Sequence, residues 1–387
     1  MITIFVSSCT EPYALQSTNG NSALVVEATI TNELKHQEIK LTRTYSLDET
    51  GPTFEEGAII KVISDSGLVY NFEEDGDKYV SIDPFQAVAG EAYRLSIQTA
   101  NGKNYLSDLQ TLTTVNQIES VTATATTENG VSGVQIAVNN FDPTNTSKYY
   151  RYTYEETYKV IVPKWSPNKL IINRLDTLQL IPRIGETRVC FSDNKSTNII
   201  ITSTNDLVED RVLNFPIRFI PQSDYIIANR YSILVKQYIQ NFDSYNFYKI
   251  LKSFSSTDNL LSQIQPGFIY GNIECVEQPS EKVIGIFDVA SVSTKRIFFN
   301  YEDIFPGQLY PDYFETCPTV QFDAGAYGPL HVNDGWEALK SSIISGRLIY
   351  FSHSGNIFQM VKPVCGDCTT FSSNVIPAFW EWKNIKF

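Results

Sequence analysis

Between residues 22 and 114 the sequence alternates apolar and polar positions over short runs and closes each run with turn-forming residues. In AYRLSIQ, Tyr93, Leu95 and Ile97 alternate with Arg94, Ser96 and Gln98. A period of two sends one set into a core and the other into water, which is the geometry of a strand and not of a helix. The runs ALVVEATI, IKLTRTYS, GAIIKVISDSG, LVYNFEEDG, KYVSIDPF, AYRLSIQTANG and KNYLSDLQTL follow one another at intervals of roughly ten residues, the spacing of a small β-sandwich. Asn101 and Gly102 mark a hairpin, because both accept the positive φ of a tight turn. An immunoglobulin- or fibronectin-like sandwich is therefore expected over 22–114, close to the ~100 residues such a domain needs.

At 387 residues the chain exceeds what one core fills at about 150 residues per domain. A second domain is expected over 115–387. Tyr 22 and Phe 23 against Met 2 is a β-type composition, so the fold class is mainly β: the sandwich, then a larger β-rich α+β domain with a few short helices. That domain opens with IESVTATAT and VSGVQIAVNNFD. In YYRYTYEETYKVIV the tyrosines recur too densely to be given to one face, and aromatic strands are more often core than binding strip. Residues 165–186, with two prolines and no clear period, read as a long surface excursion. Helices are expected near 243–264 and over 335–344. Asp243 is the expected cap of the first, whose Phe247, Leu251 and Phe254 share a face.

A formal net charge of -13 repels nucleic acid and anionic lipid unless a local basic patch reverses the field, and the sequence shows no such patch. No nucleic-acid partner is expected. After residue 9 no run approaches the eighteen or so apolar residues of a membrane helix.

The N-terminal text MITIFVSSCT places Cys9 behind an apolar run and two serines, in the manner of a bacterial lipobox, and ahead of a polar tether that reaches residue 21. No Lys or Arg precedes Cys9, so a lipidated Cys9 implies a start upstream of Met1. The competing reading is a buried cysteine on a first strand. The other cysteines are Cys190, Cys275, Cys317, Cys365 and Cys368, enough for two bridges and one thiol. Cys317, Cys365 and Cys368 crowd the C-terminal end, which fits disulfides in an oxidising compartment. Candidate bridges there are Cys365 to Cys368, or either to Cys317. Zinc at Cys365-Gly-Asp-Cys368 lacks a second such pair, and a thioredoxin-like role lacks the surrounding βαβ pattern.

Nucleophile-elbow, phosphate-loop, zinc-protease and dinucleotide motifs are all absent from the sequence. The histidines are His36, His331 and His353. His331, near Asp334, is the one that pairs most readily with a carboxylate, but no nucleophile can be named for it. The 43 Asp and Glu residues allow a glycosidase pair without selecting one. Glu73 to Asp77, EEDGD, lacks the spacing of a calcium loop and reads as a turn. No metal and no cofactor are expected.

Several segments resemble the DUF4249 family of Bacteroidota outer-membrane surface lipoproteins: EGAIIKVISDSGLVYNF with AGEAYRLSIQTANGKNYLS, ETRVCFSDNKSTNIIITSTNDLVEDRVLNFPIRFI, PGFIYGNIECVEQPSEKVIGIFDVAS, and the terminal CGDCTTFSSNVIPAFW. The resemblance implies a lipid-anchored protein facing the cell exterior and partnered with an outer-membrane β-barrel such as a TonB-dependent transporter. Its expected role is a non-enzymatic binding or accessory subunit. The alternatives are a structural subunit of an extracellular assembly on a β-barrel machine, and a surface hydrolase using carboxylates or His331.

Overall fold

The computed structural model of the protein describes residues 22–45, 51–255, 269, 271–325 and 334–380. Cys9 and its tether, His331, and nearly all of the second half of the 243–264 helical region lie outside the described residues. The chain divides into two compact units, one of residues 1–112 with 246–290, the other of 113–245 with 291–387.

The first unit is the expected sandwich, mainly strand as its composition requires. One sheet holds Leu24–Thr31, Glu38–Arg43 and Lys78–Ser81, and the other Ile59–Ser64, Ala92–Gln98 and Asn104–Ser107. Val69–Asp75 pairs with a strand of each sheet. The alternation read from sequence is the packing pattern, since Leu24, Val26, Ala28 and Ile30 meet Tyr93, Leu95 and Ile97 in one core. Gly102 takes the positive φ of its hairpin.

The expectation of a continuous second domain from residue 115 is corrected here, because residues 246–290 return to the first unit. Ile273–Cys275 extends one sheet beside Asn104–Ser107. The first half of Val283–Phe299 lies parallel to Leu24–Thr31 in the other. Parallel pairing needs a distant crossover, which no local turn signal announces.

In the second unit Ser120–Glu128, Val131–Asp142 and Asp210–Pro221 form a three-stranded sheet. Opposite it, Tyr149–Ile161 pairs with Val189–Lys195 and Ile200–Ser203 on one side and with Tyr231–Gln240 on the other. Tyr231–Gln240 pairs in turn with the second half of Val283–Phe299. The tyrosine-dense strand resolves by parity, with Tyr150, Tyr152 and Tyr154 buried against Val134, Ile136 and Val138 of the facing sheet. The excursion over 165–186 is not a plain surface loop. It forms the hairpin Asn168–Ile172 and Leu178–Pro182, and Leu170 packs with Trp336, Leu339, Tyr350 and Met360. Trp336 and Leu339 belong to helix Asp334–Ser345, where the 335–344 helix was expected. Helix Phe242–Ser255 begins one residue before Asp243, and the cap is Asn241, whose Oδ1 accepts from the Ser244 N–H at 2.8 Å.

Candidate binding cleft

In the second unit the end of strand Tyr149–Ile161 passes a 3-10 turn, Tyr225–Ile227. Asp224 starts that turn by accepting from the Ile226 N–H at 3.2 Å, the usual way a short polar side chain satisfies a free helix-terminal donor. Tyr225 is thereby held beside Tyr158, the two hydroxyls 3.2 Å apart. Across from it runs the segment Leu309-Tyr-Pro-Asp-Tyr-Phe314. Val160, Ile161, Pro163, Tyr225, Pro311 and Tyr313 wall a cleft of about 140 Å3 between these pieces.

The far wall is pinned from behind. Tyr313 donates to the Val364 carbonyl at 2.7 Å, and Cys317 is bridged to Cys365. The aromatic rings continue past the cleft: Phe314 lies 4.8 Å from Tyr225 and 5.2 Å from Phe371 between ring centroids. Phe314 remains 45% exposed and Tyr310 54%, so the rim is aromatic and wet. Burial, then the bond to Tyr225, pushes the Tyr158 phenol well above the ordinary tyrosine value. Burial does the same for Tyr313. Both stay neutral hydrogen-bonding groups at physiological pH. The lining residues carry no carboxylate, imidazole or thiol. The volume falls short of the ~300–1,000 Å3 of sites that enclose a free small molecule. It suits a single ring or apolar side chain presented by something larger.

The cysteines behind the cleft make a knot. Cys368 is bridged to Cys190 on strand Val189–Lys195, and Cys365 to Cys317. The Cys317–Cys365 pairing is one of the candidates read from sequence. The short Cys365–Cys368 bridge does not form, because each cysteine of CGDC faces a different segment. Among the described residues Cys275 is the free thiol, and it is buried. The Lys164 N–H donates to the Cys365 carbonyl and the Cys368 N–H to the Thr187 carbonyl, both at 2.9 Å. Those contacts clamp the two feet of the 168–182 hairpin. Gly366 is required, since a Cβ there would sit 2.9 Å from the Lys164 carbonyl oxygen. Asp367 binds Arg183 at 2.7 Å. Beyond the knot, Ser373 pairs with Phe191 along the strand edge, and Trp380 is buried against Phe191 and Phe298.

Of the remaining candidates, His36 and His353 are described, and both lie apart from the cleft's lining. His36 donates from Nδ1 to the Ser81 carbonyl at 2.7 Å. His353 sits 2.7 Å from the Tyr350 hydroxyl and stacks on Phe358. Among the carboxylates, Glu156 is 1% exposed, and its oxygens take hydrogen bonds from Asn194 at 2.9 Å, Tyr231 at 2.5 Å and Arg218 at 3.4 Å. Asn194 and Tyr231 belong to the same sheet as Glu156, and Arg218 reaches it from the facing one. Burial, then the neighbouring Glu156 charge, raises the Tyr231 phenol far above its usual value. Among the described residues no three His, Cys, Asp or Glu side chains gather as a metal site, and no helix is long and apolar enough to cross a membrane. Tyr225, Tyr313 and Phe314 were not singled out from sequence. The signal available was an aromatic pair in PDYFETC just ahead of a bridged cysteine.

A family model described as a domain of unknown function, DUF4249, matches residues 10–296. No curated protein matches. Among solved structures, trypsin-activated alpha-2-macroglobulin from Escherichia coli is 6% identical with a TM-score of 0.17. That match covers 57% of this chain and spans only 15% of the macroglobulin chain.

Proposed function

The chain belongs to the DUF4249 family, and from that premise we propose that it is a non-enzymatic accessory subunit of an outer-membrane β-barrel system of the TonB-dependent kind. A lipid on Cys9 holds it at the outer face of the outer membrane, and the polar residues to 21 give it reach. The observation that carries the docking role is the disulfide-pinned aromatic cleft between Tyr225 and Tyr313. Its size, neutral lining and half-exposed Phe314 suit a hydrophobic side chain on a partner loop. Aromatic anchors in pre-formed pockets are where binding energy concentrates, and a bridge behind the wall lowers the ordering cost of binding.

Extraction from the native membrane in mild detergent, with intact mass on the N-terminal peptide, tests the reading. A lipid on Cys9 and a stoichiometric β-barrel partner are expected. A solitary, unlipidated protein would sink the proposal and turn attention to a surface hydrolase. A barrel bound together with several further surface proteins points instead to the structural subunit of a larger assembly.

A further inference from the structure

Strand Ser120–Glu128 forms one edge of the three-stranded sheet in the second unit. It pairs with Val131–Asp142 from Ser120↔Asn139 to Glu128↔Val131 without a register shift, and closes through Asn129 and Gly130, both at positive φ. Among the described residues no strand pairs with its other edge, and Thr124, Ala125, Thr126, Thr127 and Glu128 are all exposed. Alternate residues of an edge strand turn both their N–H and C=O outward, ready for another strand. Natural edges are usually blunted by Lys, Pro, a bulge or an inward charge. Residues 121–127, VTATATT, contain none of these.

The sequence of the edge also says what fits it. Thr122-Ala-Thr-Ala-Thr126 reads the same in both directions, so it is its own complement in an antiparallel pair. With a two-fold axis at Thr124, Thr122 meets Thr126, Ala123 meets Ala125 and Thr124 meets itself. Like side chains of matched size then face each other, including favourable threonine pairs. The flanking carboxylates are kept apart, since Glu128 falls opposite Ser120 and Glu119 opposite Asn129. We propose that this edge is a self-association surface through which two copies of the chain join their sheets about Thr124, an isologous contact of the commonest symmetry. The contact is short and each chain carries a net charge of -13, so the dimer is weak and strengthens as salt screens the repulsion.

Sedimentation equilibrium of the full chain over a concentration series up to about 1 mM, at low and high salt, reads the association. The wild type is expected to dimerise, more readily at high salt. Thr124→Lys and Thr124→Glu each set two like charges on the axis and are expected to associate about tenfold or more weakly. An equimolar mixture of the two variants should regain the dimer, because the axis then pairs Lys with Glu. Unchanged melting temperatures show that the exposed substitutions leave the fold intact. A wild type that stays monomeric throughout, a Thr124→Lys protein that dimerises as the wild type does, or a mixture that stays monomeric overturns the proposal.

Discussion

The side-chain amide of Asn272 is bonded twice to the backbone of Phe287: Oδ1 accepts its N–H and Nδ2 donates to its C=O, both at 2.8 Å. One side chain thus imitates a neighbouring strand and occupies both polar groups of a residue in the returning strand. Close to each partner, glycine is obligatory: Gly271 just before Asn272, and Gly285 two residues before Phe287. A Cβ on Gly271 would overlap the Gly285 carbonyl, and one on Gly285 would overlap the Val26 backbone. The Gly-Asn-Ile segment is therefore a backbone lock that seats the return strand against Leu24–Thr31. Asn272→Asp keeps the acceptor but sets a carboxylate oxygen against the Phe287 carbonyl. We expect a loss of about 1–3 kcal/mol in urea unfolding of the first unit, and a larger loss for Gly285→Ala. A change in Asn272→Asp within the error of the wild-type measurement would remove the lock from the account.

The disulfide pairing is checked by peptide mapping without reduction. The expected fragments join Cys190 to Cys368 and Cys317 to Cys365, and after denaturation Cys275 alone of these five takes up an alkylating reagent. On chain-entropy grounds loops of 178 and 48 residues contribute at most about 5 and about 4 kcal/mol. Removing Cys190–Cys368 as a double serine variant is expected to lower the melting temperature more than removing Cys317–Cys365. A fragment joining Cys365 to Cys368 contradicts the knot.

Some of this was legible in the sequence and some was not, for identifiable reasons. Tyr93, Leu95 and Ile97 announce a strand because the information is local and periodic. Cys368 finds Cys190 across 178 residues, and Leu24 finds Val283 across the whole of the intervening chain. No spacing rule spans such distances. The 168–182 hairpin lacked a period because it is neither half-buried nor wholly exposed: Leu170 is core, while Leu175 is 82% exposed. The cleft was missed for a related reason. Tyr225 and Tyr313 come from separate segments, and neither segment is unusual by itself.

Asp142 gives the acid limb of stability a definite sign. Burial alone would raise its carboxyl, but Thr144, through its hydroxyl and N–H, and Ser147 donate to it and hold it well below the usual carboxylate range. A carboxyl lowered by folding gives its full stabilisation above its unfolded value of about 4 and loses it as pH falls toward the folded value. Asp142→Asn is expected to be less stable than wild type at neutral pH by about 1–3 kcal/mol. The gap should narrow below about pH 4. Urea midpoints for both proteins at neutral and acid pH make the comparison, and a gap that widens in acid contradicts it.

Buried Glu156 is best probed through its shortest partner. Tyr231→Phe removes the donor at 2.5 Å without opening a cavity, leaving the carboxylate to Asn194 and the more distant Arg218. The expected cost is about 1–3 kcal/mol in the unfolding of the second unit. A neutral result would mean that Arg218 and Asn194 suffice to satisfy the charge.

The docking role assigned to the cleft is separated from stability by measuring both on the same variants. Phe314→Ala removes a ring that is 45% exposed but rests on Tyr225 and Phe371, so folding loses about 1–3 kcal/mol, which the melting temperature reports. The same ring at the centre of an interface is a typical anchor, whose loss costs about 2 kcal/mol or more, roughly thirtyfold in affinity. Tyr225→Phe is the complementary probe, since it keeps the ring and removes only the hydroxyl that meets Tyr158. If apolar contact dominates, Phe314→Ala abolishes recovery of the membrane partner while Tyr225→Phe leaves it nearly intact. Ile184→Ala, on a loop at 94% exposure and outside the cleft's lining, serves as the neutral control. Recovery of partner per mole of bait, measured beside each variant's melting temperature, distinguishes a docking residue from a folding residue. Full recovery with Phe314→Ala would move the docking site elsewhere on the chain without touching the accessory role itself, which rests on whether a barrel is recovered at all.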